Sequence, residues 1–101
     1  MSRSLWDPVD TTSVGSLDPK LHAKVNGEIY RFARLATLLK FRRDPVRWCG
    51  ILRDPVSGER FVPRRHSPRF DVKDGPYFFT SDSTRTAFVA APDRYAIHRD
   101  Y

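Results

Sequence analysis

The stretch "YFFTSDSTRTAFVAAPDRY", residues 77–95, decides how this chain is read. It opens like a strand, and Tyr77 and Phe79 share one face because side chains alternate along a strand. It then turns polar, and Ser81 or Asp82 stands where the free N–H groups of a helix start need an acceptor. Ala87, Phe88 and Ala91 give the following helix a thin apolar side. Pro92 ends it, because the residue before a proline is pushed out of the helical region.

An earlier stretch, "YRFARLATLLKFRRDPVRW" at residues 30–48, has the same grammar. Sliding the chain against itself by 47 positions gives eleven identical pairs without a gap. They fall on Leu5/Leu52, the Asp-Pro-Val triplets at 7–9 and 54–56, Val25/Val72, Tyr30/Tyr77 and Phe32/Phe79. The others are Thr37/Thr84, Phe41/Phe88, Pro45/Pro92 and Arg47/Arg94, with Trp48/Tyr95 as an aromatic match. Pairs placed on turns, strand aromatics and helix ends read as a tandem duplication. The units are 1–50, with an N-terminal extension, and 51–101, the better preserved.

Each unit begins with its Asp-Pro-Val turn and continues through a strand pair. In the first these are "LHAKV" and "EIYRF", joined by Asn26-Gly27; in the second, "PRFDV" and "PYFF", joined at residues 73–75. Asn, Asp and Gly tolerate positive φ and suit tight hairpins. A helix begins near Ala33 and near Ser81. In the first, Leu35, Leu38, Leu39 and Phe41 suggest a broad apolar side. Pro45 and Pro92 can each start a further short turn, with Asp44 as an N-cap for the first. Trp48 and Tyr95 are expected to fold back on their units. The predicted fold is α+β: two pseudo-symmetric β-β-α-α repeats in one compact small domain.

These residues resemble the YHS domain, a short module related to the TRASH metal-binding fingers. "DPVSGERF" at 54–61 matches the family's opening, and "GPYFFTSDSTRTAFVAAPDRY" at 75–95 matches the remainder. Residues 7–48 form a more diverged copy. The cysteines are where the match fails. The two strand-to-helix cysteine positions hold Thr80 and Thr84 in the second copy, Ala33 and Thr37 in the first; the opening one holds Ser57 and Asp10. Zinc and copper fingers need thiolate or imidazole donors, which Thr and Ala do not supply. The resemblance thus implies a finger's shape without its metal, and no cofactor is expected.

Size and composition bound the rest. A chain of 101 residues, 40% hydrophobic, supports one small domain or two half-domains sharing a core. No apolar run nears the roughly 18 residues of a membrane span and no signal-peptide h-region is evident, so a cytoplasmic protein without membrane contact is expected. A single cysteine, Cys49, excludes an internal disulfide framework and reads as a small buried hydrophobe. His22, His66 and His98 with Cys49 match no metal-ligand spacing rule, although folding could bring some together. His66, in "RRHSPR", is expected at the surface.

The net charge of +6 is concentrated in residues 31–69, where eleven Lys/Arg face three Asp/Glu, a net of +8. Such a field favours an anionic partner, nucleic acid or an acidic protein surface. A solvated basic face is the plain alternative. "KFRRDPVRW" and "RFVPRRHSPRF" interleave arginines with aromatics as single-strand-binding surfaces do, but Phe41, Trp48, Phe61 and Phe70 also stand where each repeat needs a core. Catalysis is not expected: there is no Gly-rich phosphate loop, nucleophile elbow or paired-carboxylate motif.

The leading reading is a non-catalytic, small basic adaptor or accessory subunit of a larger protein complex; the resemblance suggests an oxygenase-type enzyme as one such complex. Nucleic-acid binding is the alternative and residual metal handling a lesser one. The binding residues expected are Arg42, Arg43, Arg47, Arg64, Arg65 and Arg69, with Trp6 and Trp48 as apolar anchors, since Arg and aromatic residues dominate interface hot spots.

Overall fold

The structure is a computed structural model that describes residues 5–96. The fold is α+β. The first hairpin joins β1 (His22–Val25) to β2 (Glu28–Arg31), followed by α1 (Leu35–Arg43) and the single turn α2 (Pro45–Trp48). A short ladder, β3 (Leu52–Arg53) with β4 (Arg60–Phe61), follows. The second hairpin joins β5 (Arg69–Val72) to β6 (Gly75–Phe78) and leads into α3 (Asp82–Ala90) and α4 (Pro92–Tyr95). Thus β5, β6, α3 and α4 each lie 47 residues after β1, β2, α1 and α2.

Local chemistry explains these elements. Asn26 (φ 51°) and Gly27 (φ 77°) carry the positive φ angles of the turn that sets Val25 opposite Glu28. Ser81 caps α3 by accepting from the Thr84 N–H. Asp44 does stand at the start of α2, yet its side chain makes no cap bond; Pro at the first helical position needs none for its own nitrogen.

Phe32, Phe41, Leu38, Tyr30 and Val25 fill the first core, which also takes in Leu52 and Phe78 from beyond residue 50. Tyr77, Phe79 and Phe88 fill the second. The ring contacts repeat: Phe41 lies 5.0 Å from both Tyr30 and Phe32, and Phe88 lies 4.7 Å from Tyr77 and 5.3 Å from Phe79. Trp48 and Tyr95 pack partly buried against their respective cores, and the Tyr30 hydroxyl donates to the Cys49 carbonyl at 3.0 Å, tying α2 to β2.

The broad apolar side expected of α1 is corrected. Leu38 and Phe41 are buried, but Leu35 is 58% and Leu39 47% exposed. A two-stranded hairpin covers only a narrow stripe of a helix, and Thr37 occupies part of it. At about 100° per residue, Leu35 and Leu39 fall beside that stripe.

Beside the shared packing of Leu52 and Phe78, one buried side chain ties the first hairpin to the second half of the chain. Asn26 is buried; its Nδ2 donates to the carbonyls of Phe78 (3.0 Å) and Arg53 (2.9 Å), and its Oδ1 accepts the Phe78 N–H at 2.7 Å. Its backbone N–H donates to Pro76 O at 3.1 Å. The hairpins approach so closely that a Cβ on Gly75 would stand 2.2 Å from the Lys24 carbonyl oxygen.

Candidate functional site

Two buried carboxylates occupy the places where the sequence directs attention. Asp54 Oδ1 accepts the N–H groups of Val56 (2.8 Å) and Ser57 (3.1 Å). Its Oδ2 accepts the Thr80 N–H (2.9 Å), the Thr80 hydroxyl (3.0 Å) and the Thr84 hydroxyl (2.7 Å). Asp7 repeats this: Oδ1 takes the N–H groups of Val9 (2.8 Å) and Asp10 (3.0 Å), and Oδ2 takes the Ala33 N–H (2.9 Å) and the Thr37 hydroxyl. The three positions singled out in residues 1–50 gather around Asp7 and the three in residues 51–101 around Asp54, through the backbone at Asp10, Ala33 and Ser57, through the hydroxyl at Thr37 and Thr84, and through both at Thr80.

Each carboxylate joins an opening turn to the strand-to-helix corner of its unit. Burial raises the carboxyl pKa of Asp7, but the donors Thr37, Asp10, Ala33 and Val9 more than offset it, leaving it below the ordinary value. At Asp54 burial is likewise outweighed by Thr80, Thr84, Val56 and Ser57. Asp10 is held low as well, by Thr12, Arg34 and Ser13; Arg34 sits 2.6 Å away as an exposed ion pair.

Four of the eight expected binding residues line two depressions, two in each. Arg42 and Arg69 line one groove of about 580 Å³ together with Lys24 and Lys73. Trp6 and Trp48 line a second, smaller cavity of about 250 Å³ beside Tyr30, Arg31 and Cys49. Arg47 lies over the Trp48 ring at 4.8 Å. Arg43, Arg64 and Arg65 are exposed and line neither depression. Arg64 belongs to a turn closed by its own N–H on Ser67 Oγ and by the Ser67 N–H on its carbonyl.

The soft-metal donors stand apart in role. Nε2 of buried His22 contacts the Ser16 carbonyl at 2.8 Å, Cys49 is buried, and His66 is exposed. His98 lies outside the described residues. Among the described residues no group of three or more His, Cys, Asp or Glu is arranged to hold a metal ion.

Sequence reading took Asp7 and Asp54 only as turn residues and Asn26 only as a hairpin residue. Lys24 and Lys73 carry no sequence signal of a groove, because they belong to different hairpins. The signal for the carboxylate network lay in the identical pairs Asp7/Asp54 and Thr37/Thr84, which recur together at the same offset.

No family model, curated protein or solved structure matches this chain. Among the described residues no helix is long and apolar enough to cross a membrane.

Proposed function

We propose that the chain is a non-catalytic, small basic adaptor or accessory subunit: a duplicated pair of YHS-like fingers that keep the family's shape without its metal. It would bind a larger protein, of which an oxygenase-type enzyme complex is one kind, through its basic surface.

The observation that supports this reading is the capture of the Thr37, Thr80 and Thr84 hydroxyls by buried Asp7 and Asp54. In a metal finger the corners are held by a cation drawing thiolates together. Here a carboxylate drawing N–H and O–H donors together does the same mechanical task. Hydrogen bonds to a charged group contribute about 1.5–3 kcal/mol each, so the corners have a source of stability of their own. The shape persists for presentation, and the exposed arginines supply charge for an acidic partner.

The test is to purify the full chain with its bound partners from its own cells and measure complex and metal content together. A stoichiometric protein complex surviving gel filtration, with no bound zinc or copper, is the expected result. Stoichiometric metal surviving dialysis would overturn the metal-free reading. Salt-sensitive binding to DNA or RNA, weakened by Arg64→Ala with Arg65→Ala, would move the function to nucleic acid.

A further inference from the structure

The groove that holds Arg42 and Arg69 brings together residues distant in sequence. Lys24 comes from β1, Arg42 from α1, Arg69 from β5, and Lys73 from the turn between β5 and β6. Lys24 is buried and engaged within the fold; against the three exposed cations the lining contains one carboxylate, Asp74. Arg69 is held in place by Asp71, 2.7 Å from its Nε, and by the Phe78 ring 5.3 Å beneath it. Arg42 and Lys73 sit in no ion pair among the described residues.

The floor is of a different character. Of its apolar lining, Ala23, Val25, Phe41 and Pro45 are buried and Pro76 is half-buried. A cleft of about 580 Å³ falls in the range of roughly 300–1,000 Å³ typical of binding sites. The exposed cations Arg42, Arg69 and Lys73, with half-buried Pro76 beside them, suit a chain that alternates carboxylates with apolar side chains.

Nucleic acid fits less well. Single strands are held by bases stacked on exposed aromatic rings, and the only aromatic in this lining, Phe41, is buried. The tryptophans that could stack line the other cavity.

We infer that the groove between the two hairpins is the docking site for an acidic, leucine-bearing extended segment of a partner protein. This rests on the adaptor reading above and gives it a place and a chemistry. The segment's carboxylates pair with Arg42, Lys73 and Arg69, and its apolar side chains lie against the half-buried Pro76. Asn26 and Gly75 set the width of the groove, because they set how closely the hairpins approach.

The test uses the full chain and a fluorescent peptide of alternating Glu and Leu, followed by anisotropy. Saturable binding by the unaltered chain is expected, weakened tenfold or more by Arg42→Glu with Lys73→Glu. Lys20→Glu with Arg60→Glu changes the net charge equally at exposed positions outside the groove and is expected to weaken binding less than twofold. Equal weakening by both pairs, or absence of binding to the unaltered chain, would overturn the proposal. So would an oligothymidylate that binds more tightly than the peptide and is lost with the same groove variant. Circular dichroism melting confirms that each variant is folded. A stoichiometric partner that copurifies equally with the unaltered chain and the groove variant would overturn the groove and leave the adaptor reading standing. If no such partner copurifies with the unaltered chain, the adaptor reading itself fails.

Discussion

Asn26 of the first hairpin clasps the Phe78 backbone of the second, donating to its carbonyl at 3.0 Å and accepting its N–H at 2.7 Å. A buried side-chain amide here does what a neighbouring strand would do, and it joins residues 52 positions apart.

Asn26→Gly keeps the positive φ of this turn and removes only the clasp. Three hydrogen bonds at about 1 kcal/mol each, plus a stranded Phe78 N–H, predict a loss of about 2–4 kcal/mol. Urea unfolding measures it; a loss below about 1 kcal/mol would show that the clasp is dispensable.

Two glycines with positive φ should respond differently to alanine. At Gly75 (φ 122°) the added Cβ meets the Lys24 carbonyl oxygen, so the hairpins must separate. At Gly58 (φ 75°) the Cβ enters open space and only backbone strain remains. Gly58→Ala should cost about 1 kcal/mol and Gly75→Ala at least twice that, read from the same denaturation curves.

Thr84→Val removes one donor to Asp54 while keeping the shape of the side chain. A hydrogen bond to a charged acceptor predicts a loss of about 1.5–3 kcal/mol. Asp54→Asn goes further, because the amide cannot accept from all five donors. Its predicted cost is about 3 kcal/mol or more, checked by thermal and urea unfolding together.

The pH dependence follows from the direction of the shifts. Asp7 and Asp54 have folded pKa values below 3.8, so their contribution to stability is complete above the unfolded value. It is lost as pH falls through the folded values. Unfolding free energy should therefore drop as pH falls below about 3.8, and Asp54→Asn should flatten that drop.

Much of the architecture was readable because it is announced by local chemistry. Asn26-Gly27 and Gly75 mark the hairpins, Ser81 marks the start of α3, and Pro45 and Pro92 mark α2 and α4. What escaped was the work of side chains on distant partners. Asp7 looks like a turn residue until Ala33 and Thr37, 26 and 30 positions away, are seen to donate to it. Hydrophobicity alone puts Leu35 and Leu39 on a broad apolar side of α1, yet the narrow hairpin leaves them exposed. The groove was half visible: Arg42 and Arg69 stood out in the basic stretch, while Lys24 and Lys73 belong to hairpins whose meeting only the fold reveals.

The central claim is that ionised, buried Asp7 and Asp54 each hold an opening turn against a strand-to-helix corner. The most direct test is a carbon-13 NMR titration of both carboxyl groups in the intact chain. The hydrogen-bond network predicts that both titrate below 3.8. If either instead titrates above that value, burial governs the site, the carboxyl is not the hub described, and the claim is contradicted.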